Sequence, residues 1–375
     1  MATSAVGAVK VAFVSSHAHG GGSERYLELL LGELGPDWIA SVVALQEGPF
    51  ADRLRELGYP VRVVPTPARA GIVPAAWRLR RVLLRDRPAV VHANGVKAAL
   101  SAVLATRFTR IPVIWVKHDF SWDGPLARVL GATADEVVAV SSAITTTFGP
   151  RTRGRVRVVP NGLPAVDADR DEARRRVDAV VGGDPGAPVA SLIARQHPAK
   201  GQIELIEAAP EALRREPRLR FLLVGGEDPT QAEYAALLRR RVDELGLAGA
   251  VTFAGHRSDA LELMAGSDVV VLPSVPDERG AGKEACPFAL LEAMAVGTPV
   301  VAYAAGGIPE VLESCGRLVT EGDRAELAEA IAGLVGDAAA ARELSSCARE
   351  RVRESFRLER TVEAMRERYR ALARS

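Results

Sequence analysis

Glu284 and Glu292 stand eight positions apart in the stretch EACPFALLEAMAVGTPVVA. A proline suits the first position of a helix, where its missing N–H is not needed. Pro287 therefore marks a helix entrance, and Gly297 and Pro299 end that helix and lead into an apolar strand. Phe288, Leu291 and Ala295 share one of its faces. Glu284 then lies in the loop before the first turn, whose free amides and dipole make an anion site, and Glu292 lies deeper in the helix. A carboxylate does not bind phosphate, but it accepts hydrogen bonds from sugar hydroxyls beside a phosphate that the helix end holds. The chemistry suggested is the grip of a sugar nucleotide. Spacing alone leans the other way, towards one solvated surface glutamate and one loop glutamate.

Cations at a strand end shift that balance. SLIARQHPAKGQIELIEA puts Arg195 and Lys200 five positions apart between a strand and a helix. A guanidinium binds two oxygens in a fork and an ammonium acts as a point charge, so the pair suits a diphosphate and the charge that develops on it as a leaving group. Two ordinary surface cations are the plain alternative, and the strand-end position favours function. His118 follows the apolar run IPVIWV and Lys117, with Asp119 after it. There an imidazole could donate to a phosphate or a sugar hydroxyl, or shuttle a proton. His17, His19, His92, His197 and His256 compete with it, and only His92 has a similar setting.

The first strand ends in SSHAHGGGSERYLELL. Gly20, Gly21 and Gly22 let the backbone approach a ligand, with Ser23 as the expected helix cap. No Lys-Ser or Lys-Thr follows, as a P-loop requires, and Arg25 occupies the third glycine's place of the dinucleotide fingerprint. A tight turn explains these glycines equally well. Asp167 and Asp169 form an Asp-x-Asp pattern, but in an Arg-rich segment rather than after a strand, which argues against a metal. The run Trp77 to Arg87, WRLRRVLLRDR, is a basic amphipathic helix that could touch anionic lipid. A solvated crossover face, with Arg stems lying over apolar surface, is the favoured expectation.

Holding these residues requires strands and helices in alternation. Short β-branched runs do alternate with amphipathic stretches, the signature of parallel sheets with helical crossovers. Strands are expected at 9–14, 39–45, 61–64, 89–92, 113–116, 136–140 and 155–159, then at 189–193, 219–224, 250–253, 268–272, 299–302 and 317–319. Residues 164–188 are charged and rich in Gly and Pro, reading as a linker with a short Arg-rich helix inside it. The expectation is an α/β protein of two doubly wound domains, 1–185 and 186–355, facing each other across a cleft. Ligands belong at the C-terminal ends of the strands, and a last helix, 356–375, is expected to pack back on the first domain.

A chain of 375 residues is long enough for about two domains. With 48 Lys plus Arg against 47 Asp plus Glu, it carries no global field for nucleic acid or an anionic bilayer. The apolar run at 9–14 is too short for a signal segment or a membrane span. Cys286, Cys315 and Cys347 are odd in number and lack metal-ligand spacing, which suits a reducing compartment and a cytoplasmic protein.

Together these segments resemble glycosyltransferase family 4. The resemblance runs over nearly the whole chain: the glutamate segment with its Ala-Met-Ala and Gly-x-Pro-Val-Val run, ARQHPAKG, VVPNG ending at Gly162, VAVSSA around Ser141, GGIPEV around Glu310, and GGSER. It implies the GT-B architecture of two facing Rossmann-like domains. It also implies transfer of a hexosyl group from a nucleotide diphosphate sugar, the co-substrate, with retention and with neither metal nor cofactor. Carried onto matching positions, Arg195 and Lys200 would hold the diphosphate, Glu284 the sugar hydroxyls and Glu292 the ribose. His118 would lie near sugar and phosphate, Gly21 and Gly22 would approach the diphosphate, and Gly225, Gly226, His256 and Arg257 would border the base.

Where many members have Phe-Gly, this chain has Cys286 and Pro287, so main-chain contacts to the sugar would rest on Phe288 and Ala289. Uridine is the expected base, with glucose, N-acetylglucosamine or mannose as the sugar. The acceptor is expected to be a small molecule or lipid-linked, in natural-product or cell-envelope glycosylation, lined by 67–77 and 118–123. Asp119 and Asp123 could attract a cationic acceptor such as an aminocyclitol. No nucleic-acid partner is expected, and peripheral membrane contact is not favoured. A non-hydrolysing nucleotide-sugar epimerase and a catalytically silent sugar-nucleotide binder are the rival readings.

Overall fold

The computed structural model describes residues 8–18, 20–66, 71–229, 231–276 and 282–374. The chain divides into two compact units, Met1–Gly162 with Leu358–Ser375, and Leu163–Arg357. Strands of the first are β1 Val11–Ser15, β2 Ile39–Ala44, β3 Val61–Val63, β4 Val90–Asn94, β5 Val113–Lys117, β6 Glu136–Ala139 and β7 Arg157–Val158. They form one sheet in the order β3-β2-β1-β4-β5-β6-β7, with every pairing parallel. β1, β4 and β5 are buried along their whole length. Parallel strands covered by helices on both faces must be apolar on both, which is why their sequences run together without alternation.

The second unit repeats the plan with β8 Val189–Ile193, β9 Arg220–Val224, β10 Val251–Gly255, β11 Val269–Leu272, β12 Val300–Tyr303 and β13 Arg317–Val319. Their order is β10-β9-β8-β11-β12-β13. In each sheet the order reverses once, between β1 and β4 and between β8 and β11. The crevice beyond such a reversal is where a doubly wound sheet takes its ligands, because adjacent crossovers leave in opposite directions there.

The boundary expected at 185/186 lies instead at 162/163. The Arg-rich helix Arg170–Val181 belongs to the second unit. Arg174 bonds Asp268 at 2.8 Å and the Ala187 carbonyl at 2.5 Å, and a Cβ on Gly266 would overlap the Ala173 carbonyl. Asp169 accepts from the amides of Asp171 and Glu172 at 2.9 and 3.1 Å, so it serves as a helix cap rather than a metal ligand. The last helix, Leu358–Leu372, groups with the first unit. It buries Tyr369 completely, with the hydroxyl 2.7 Å from His92 Nδ1.

Two further local expectations change. The helix Gly22–Leu34 is capped by Gly21 rather than Ser23, whose hydroxyl turns to Glu24 Oε2 at 2.8 Å. Cys315 and Cys347 are joined in a disulfide, with Cα atoms 5.2 Å apart, and Cys286 lies outside it. The expectation of three thiols fails because a loop cysteine and one on the helix Ala338–Ser355 become neighbours only when that helix docks. Among the described residues, no helix is long and apolar enough to cross a membrane.

Candidate functional site

In the second unit, the loops after β8 and β11 meet at one carboxylate. Lys200, at the end of the 3-10 turn Pro198–Lys200, donates to Glu284 Oε1 at 2.6 Å, and the Ser274 hydroxyl donates to the same oxygen at 3.1 Å. Gly201 follows at φ 68°, and a Cβ there would overlap the Pro273 carbonyl, so the turn that aims Lys200 requires glycine. The Glu284 carbonyl accepts from the Gly307 amide at 2.8 Å, which fixes its backbone as well.

Pro287 is the cap of the helix Phe288–Val296, with ψ 130°, and not its first residue. Its carbonyl receives the amides of both Leu290 and Leu291 at 3.2 Å. The amides of Phe288 and Ala289 therefore lead the positive end of the helix as its orphan donors. Glu292 is half-buried on the same helix.

Arg195 is half exposed and pairs through Nε with the buried Asp228 at 3.3 Å, leaving the rest of its fork available. Asp228 carried no sequence signal. The loop holding Arg195 is stitched to the loop after β9: Gln196 donates its amide N–H to Gly226 O at 2.9 Å and its side chain to Gly225 O at 3.3 Å. Gly225 sits at φ 147°, where a Cβ would overlap the Ala194 carbonyl. His256 packs beside Gly226. Arg257 makes a bidentate bond to Asp259, at 2.8 and 2.7 Å, that holds that carboxyl below its usual range. The guanidinium expected at the base is thus committed to Asp259.

The first unit builds a second cluster at its own strand-order reversal. Ser16, just after β1, donates to the Asn94 carbonyl at the end of β4 at 2.9 Å and accepts from the Ala98 amide at 3.0 Å. The Asn94 side chain donates to the Ser23 carbonyl at 2.9 Å, which turns its Oδ1 towards His118 Nε2 at 2.6 Å. His118 Nε2 is therefore the protonated nitrogen and Nδ1, buried with no partner among the described residues, keeps a bare lone pair. Tyr26 meets the ring edge-on at 4.7 Å. Burial lowers the His118 pKa to about 4 against the opposing pull of Asp119. In this tautomer Nδ1 can accept a hydrogen bond. His92 is deeply buried on β4, pushed to about 3 by burial, and structural.

Glu24 lies in the first turn after the glycine loop. It is 3% exposed, its Oε1 has no partner among the described residues, and burial raises its pKa. A Cβ on Gly21 would come within 3.1 Å of this carboxylate. Sequence reasoning passed over Glu24 and Asn94, although Glu24 stands within the GGSER segment and Asn94 ends a strand.

Asp119 and Asp123 are exposed, and each has a partner within its own loop and strand end. Asp119 accepts from the Ser121 amide and hydroxyl at 3.0 and 2.6 Å. Asp123 lies 2.9 Å from Lys117 Nζ, an ammonium with no solvent exposure that also donates to Ser121 O at 2.9 Å. Both carboxylates hold the 118–124 loop. Residues 67–70 of the other expected acceptor segment, and His19, lie outside the described residues. Among those described, no group of three or more His, Cys, Asp or Glu could hold a metal ion.

Comparison with known proteins follows the same two units. Residues 187–337 match the family model described as Glycosyl transferases group 1, and residues 20–166 the model described as Glycosyltransferase Family 4. A GDP-mannose-dependent α-(1-6)-phosphatidylinositol monomannoside mannosyltransferase of Mycolicibacterium smegmatis is 32% identical over 84% of this chain and 85% of that enzyme. A D-inositol 3-phosphate glycosyltransferase of Nocardia farcinica is 30% identical over 68% of this chain and 56% of its own length. The crystal structure of Anabaena HepE with UDP matches at a TM-score of 0.84 and 26% identity, over 96% of this chain and 100% of that one. HepE has also been solved with UDP-glucose.

Proposed function

The chain belongs to glycosyltransferase family 4, and on that footing we propose that it moves a hexosyl group from a UDP-linked sugar to a hydroxyl of a small or lipid-linked acceptor, with retention. Membership makes it a glycosyltransferase that uses a nucleotide sugar, and its two parallel-sheet units are the GT-B architecture of its solved neighbours. The observation that carries the finer reading is the contact of Lys200 with Glu284 at 2.6 Å beside the open end of the helix Phe288–Val296. It sets an anion-binding ammonium and a hydroxyl-binding carboxylate side by side, as a sugar diphosphate demands.

In this proposal Arg195, Lys200 and the amides of Phe288 and Ala289 hold the diphosphate, Glu284 orients the sugar and Glu292 takes the ribose hydroxyls. The bond from the anomeric carbon to the diphosphate oxygen breaks while the acceptor oxygen bonds that carbon on the same face. The acceptor proton passes to the departing diphosphate oxygen, whose growing charge the two cations stabilise. No metal is required, so a chelator leaves turnover unchanged.

Support for the base divides between HepE, solved with UDP and UDP-glucose, and the mannosyltransferase that depends on GDP-mannose. A GDP-mannose donor is accordingly the second reading. A thermal-shift screen of UDP-glucose, UDP-N-acetylglucosamine and GDP-mannose separates the two, since a ligand of the native state raises its melting temperature. NMR of the product with an inositol phosphate or glycolipid acceptor then reads the anomeric configuration. An inverted product would remove retention, and epimer formed from the donor alone would replace transfer with epimerisation.

A further inference from the structure

Trp122 stands in the loop that leads from β5 to the helix Pro125–Thr133, with its backbone at φ 57°. A bulky side chain rarely takes this left-handed conformation, and where one does the surrounding structure enforces it. Here it is enforced on both sides. Lys117, the last residue of β5, carries a fully buried ammonium that donates to the Ser121 carbonyl at 2.9 Å and lies 2.9 Å from Asp123 Oδ1. Ser121 and Asp123 are the direct neighbours of Trp122 in the chain. Asp119 Oδ1 takes the amide and hydroxyl of Ser121 at 3.0 and 2.6 Å, and Phe120 is buried.

Within this braced loop Trp122 itself is 52% exposed, whereas Trp38 and Trp115 are buried in the first unit. Packing does not account for a strained backbone whose side chain leaves half its surface in water, and strain of this kind gathers at ligand sites. The loop opens directly from His118, so Trp122 lies at most about 14 Å of chain from it. His118 Nδ1 and Glu24 Oε1 are buried in the same unit without partners among the described residues, each able to accept from a hydroxyl.

We propose that Trp122 is the platform on which a neutral sugar ring of the acceptor stacks, an inference that rests on the transferase reading above. An indole offers a large, flat apolar surface to the C–H face of such a ring, whose hydroxyls then point outward from its edge. Hydroxyls need acceptors, and the exposed Asp119 supplies one: both bonds from Ser121 fall on its Oδ1, and Oδ2 takes neither. An aromatic aglycone would use the indole but leave that carboxylate idle. Lys117 offsets Asp123, one of the two carboxylates in the loop, which leaves little field to select a cation. The sequence marked 118–123 as acceptor-lining; the braced, outward indole names the part of the acceptor it meets.

Saturation-transfer NMR on the full chain tests it, with methyl α-D-mannopyranoside as the neutral ring, glucosamine as the cation and benzyl alcohol as the aromatic hydroxyl. Thermal shifts with UDP-glucose and GDP-mannose are read on the same samples. In the wild type the ring C–H protons of the mannoside should be saturated more strongly than protons of the other two. Trp122→Ala should weaken that binding roughly ten-fold and Trp122→Phe should keep part of it, with the donor-induced rise in melting temperature unchanged in both. Trp122→Gly should also lose the ring while its melting temperature holds or rises, because glycine suits φ 57°. Four results would overturn the inference while a donor-induced rise leaves the transferase reading standing: no mannoside saturation in the wild type, equal binding by Trp122→Ala, a preference for glucosamine or benzyl alcohol, or a fall in the melting temperature of Trp122→Gly. If neither donor raises the melting temperature, the transferase reading fails and this inference fails with it.

Discussion

Lys200 and Glu284, 84 positions apart in the chain, share a 2.6 Å bond at the strand-order reversal of the second sheet. The carboxylate holds the ammonium in place before any phosphate arrives, so little reorganisation accompanies donor binding. Lys200→Ala and Glu284→Gln should each lower kcat by roughly 10²-fold or more. Steady-state kinetics with calorimetric donor titration check this. A rise in KM with kcat unchanged would show that the pair only binds, and does not stabilise the departing diphosphate.

His118 should not titrate in the activity profile near its ordinary value. Burial holds it to about 4, so kcat/KM is flat where a free histidine would bend it. Replacing Asn94 by Asp would put a negative charge against Nε2 and move the inflection upward. A profile unchanged by Asn94→Asp would rule out their coupling.

The same histidines tilt stability. His92 and His118 have folded values of about 3 and about 4 against 6.5, so between these limits the unfolded chain binds more protons and acidification destabilises the fold. The expected loss is on the order of 2 kcal/mol per histidine down to about pH 5. Glu24, raised by burial, works in the opposite sense. The slope is therefore read by urea unfolding as the difference between wild type and His92→Gln, in which the Glu24 contribution cancels.

Glu24→Gln should raise stability by about 1 kcal/mol, because a buried carboxylate oxygen without a partner is costly. It should lower turnover as well, if that oxygen is reserved for a substrate hydroxyl. Higher stability with full turnover would assign Glu24 to packing alone.

Asp123→Asn should destabilise the first unit by roughly 2–4 kcal/mol, below the value for a fully buried pair because Asp123 is partly exposed. The cause is the fully buried Lys117 that it neutralises. The double change Asp123→Asn with Lys117→Met should recover much of the loss. A selective rise in KM for an amino-bearing acceptor would contradict this role.

Reduction of the Cys315–Cys347 bridge, which spans 32 positions, should lower stability by about 3–4 kcal/mol through the freedom returned to the unfolded chain. Cys315→Ser should reproduce it, and chemical unfolding with and without reductant measures both. Equal stability in the two conditions would mean that the bridge does not form in solution. That result would fit the cytoplasmic setting its odd cysteine count suggested.

The sequence by itself determined the alternation of elements and the segments that carry chemistry. The thirteen strands among the described residues were legible, most clearly the central ones, because a strand buried on both faces is an apolar run between breakers, a property of consecutive residues. Arg195, Lys200 and Glu284 were legible for a similar reason, since strand ends and a helix entrance are local signals. Tertiary structure alone decided that Lys200 bonds Glu284, that Arg257 is committed to Asp259 and that Asp123 serves a buried lysine. It also moved the 163–185 segment into the second unit and set His118 neutral beside Asn94. Each of these depends on burial and on neighbours distant in the chain. Packing fixes such neighbours, and local propensity carries no record of them.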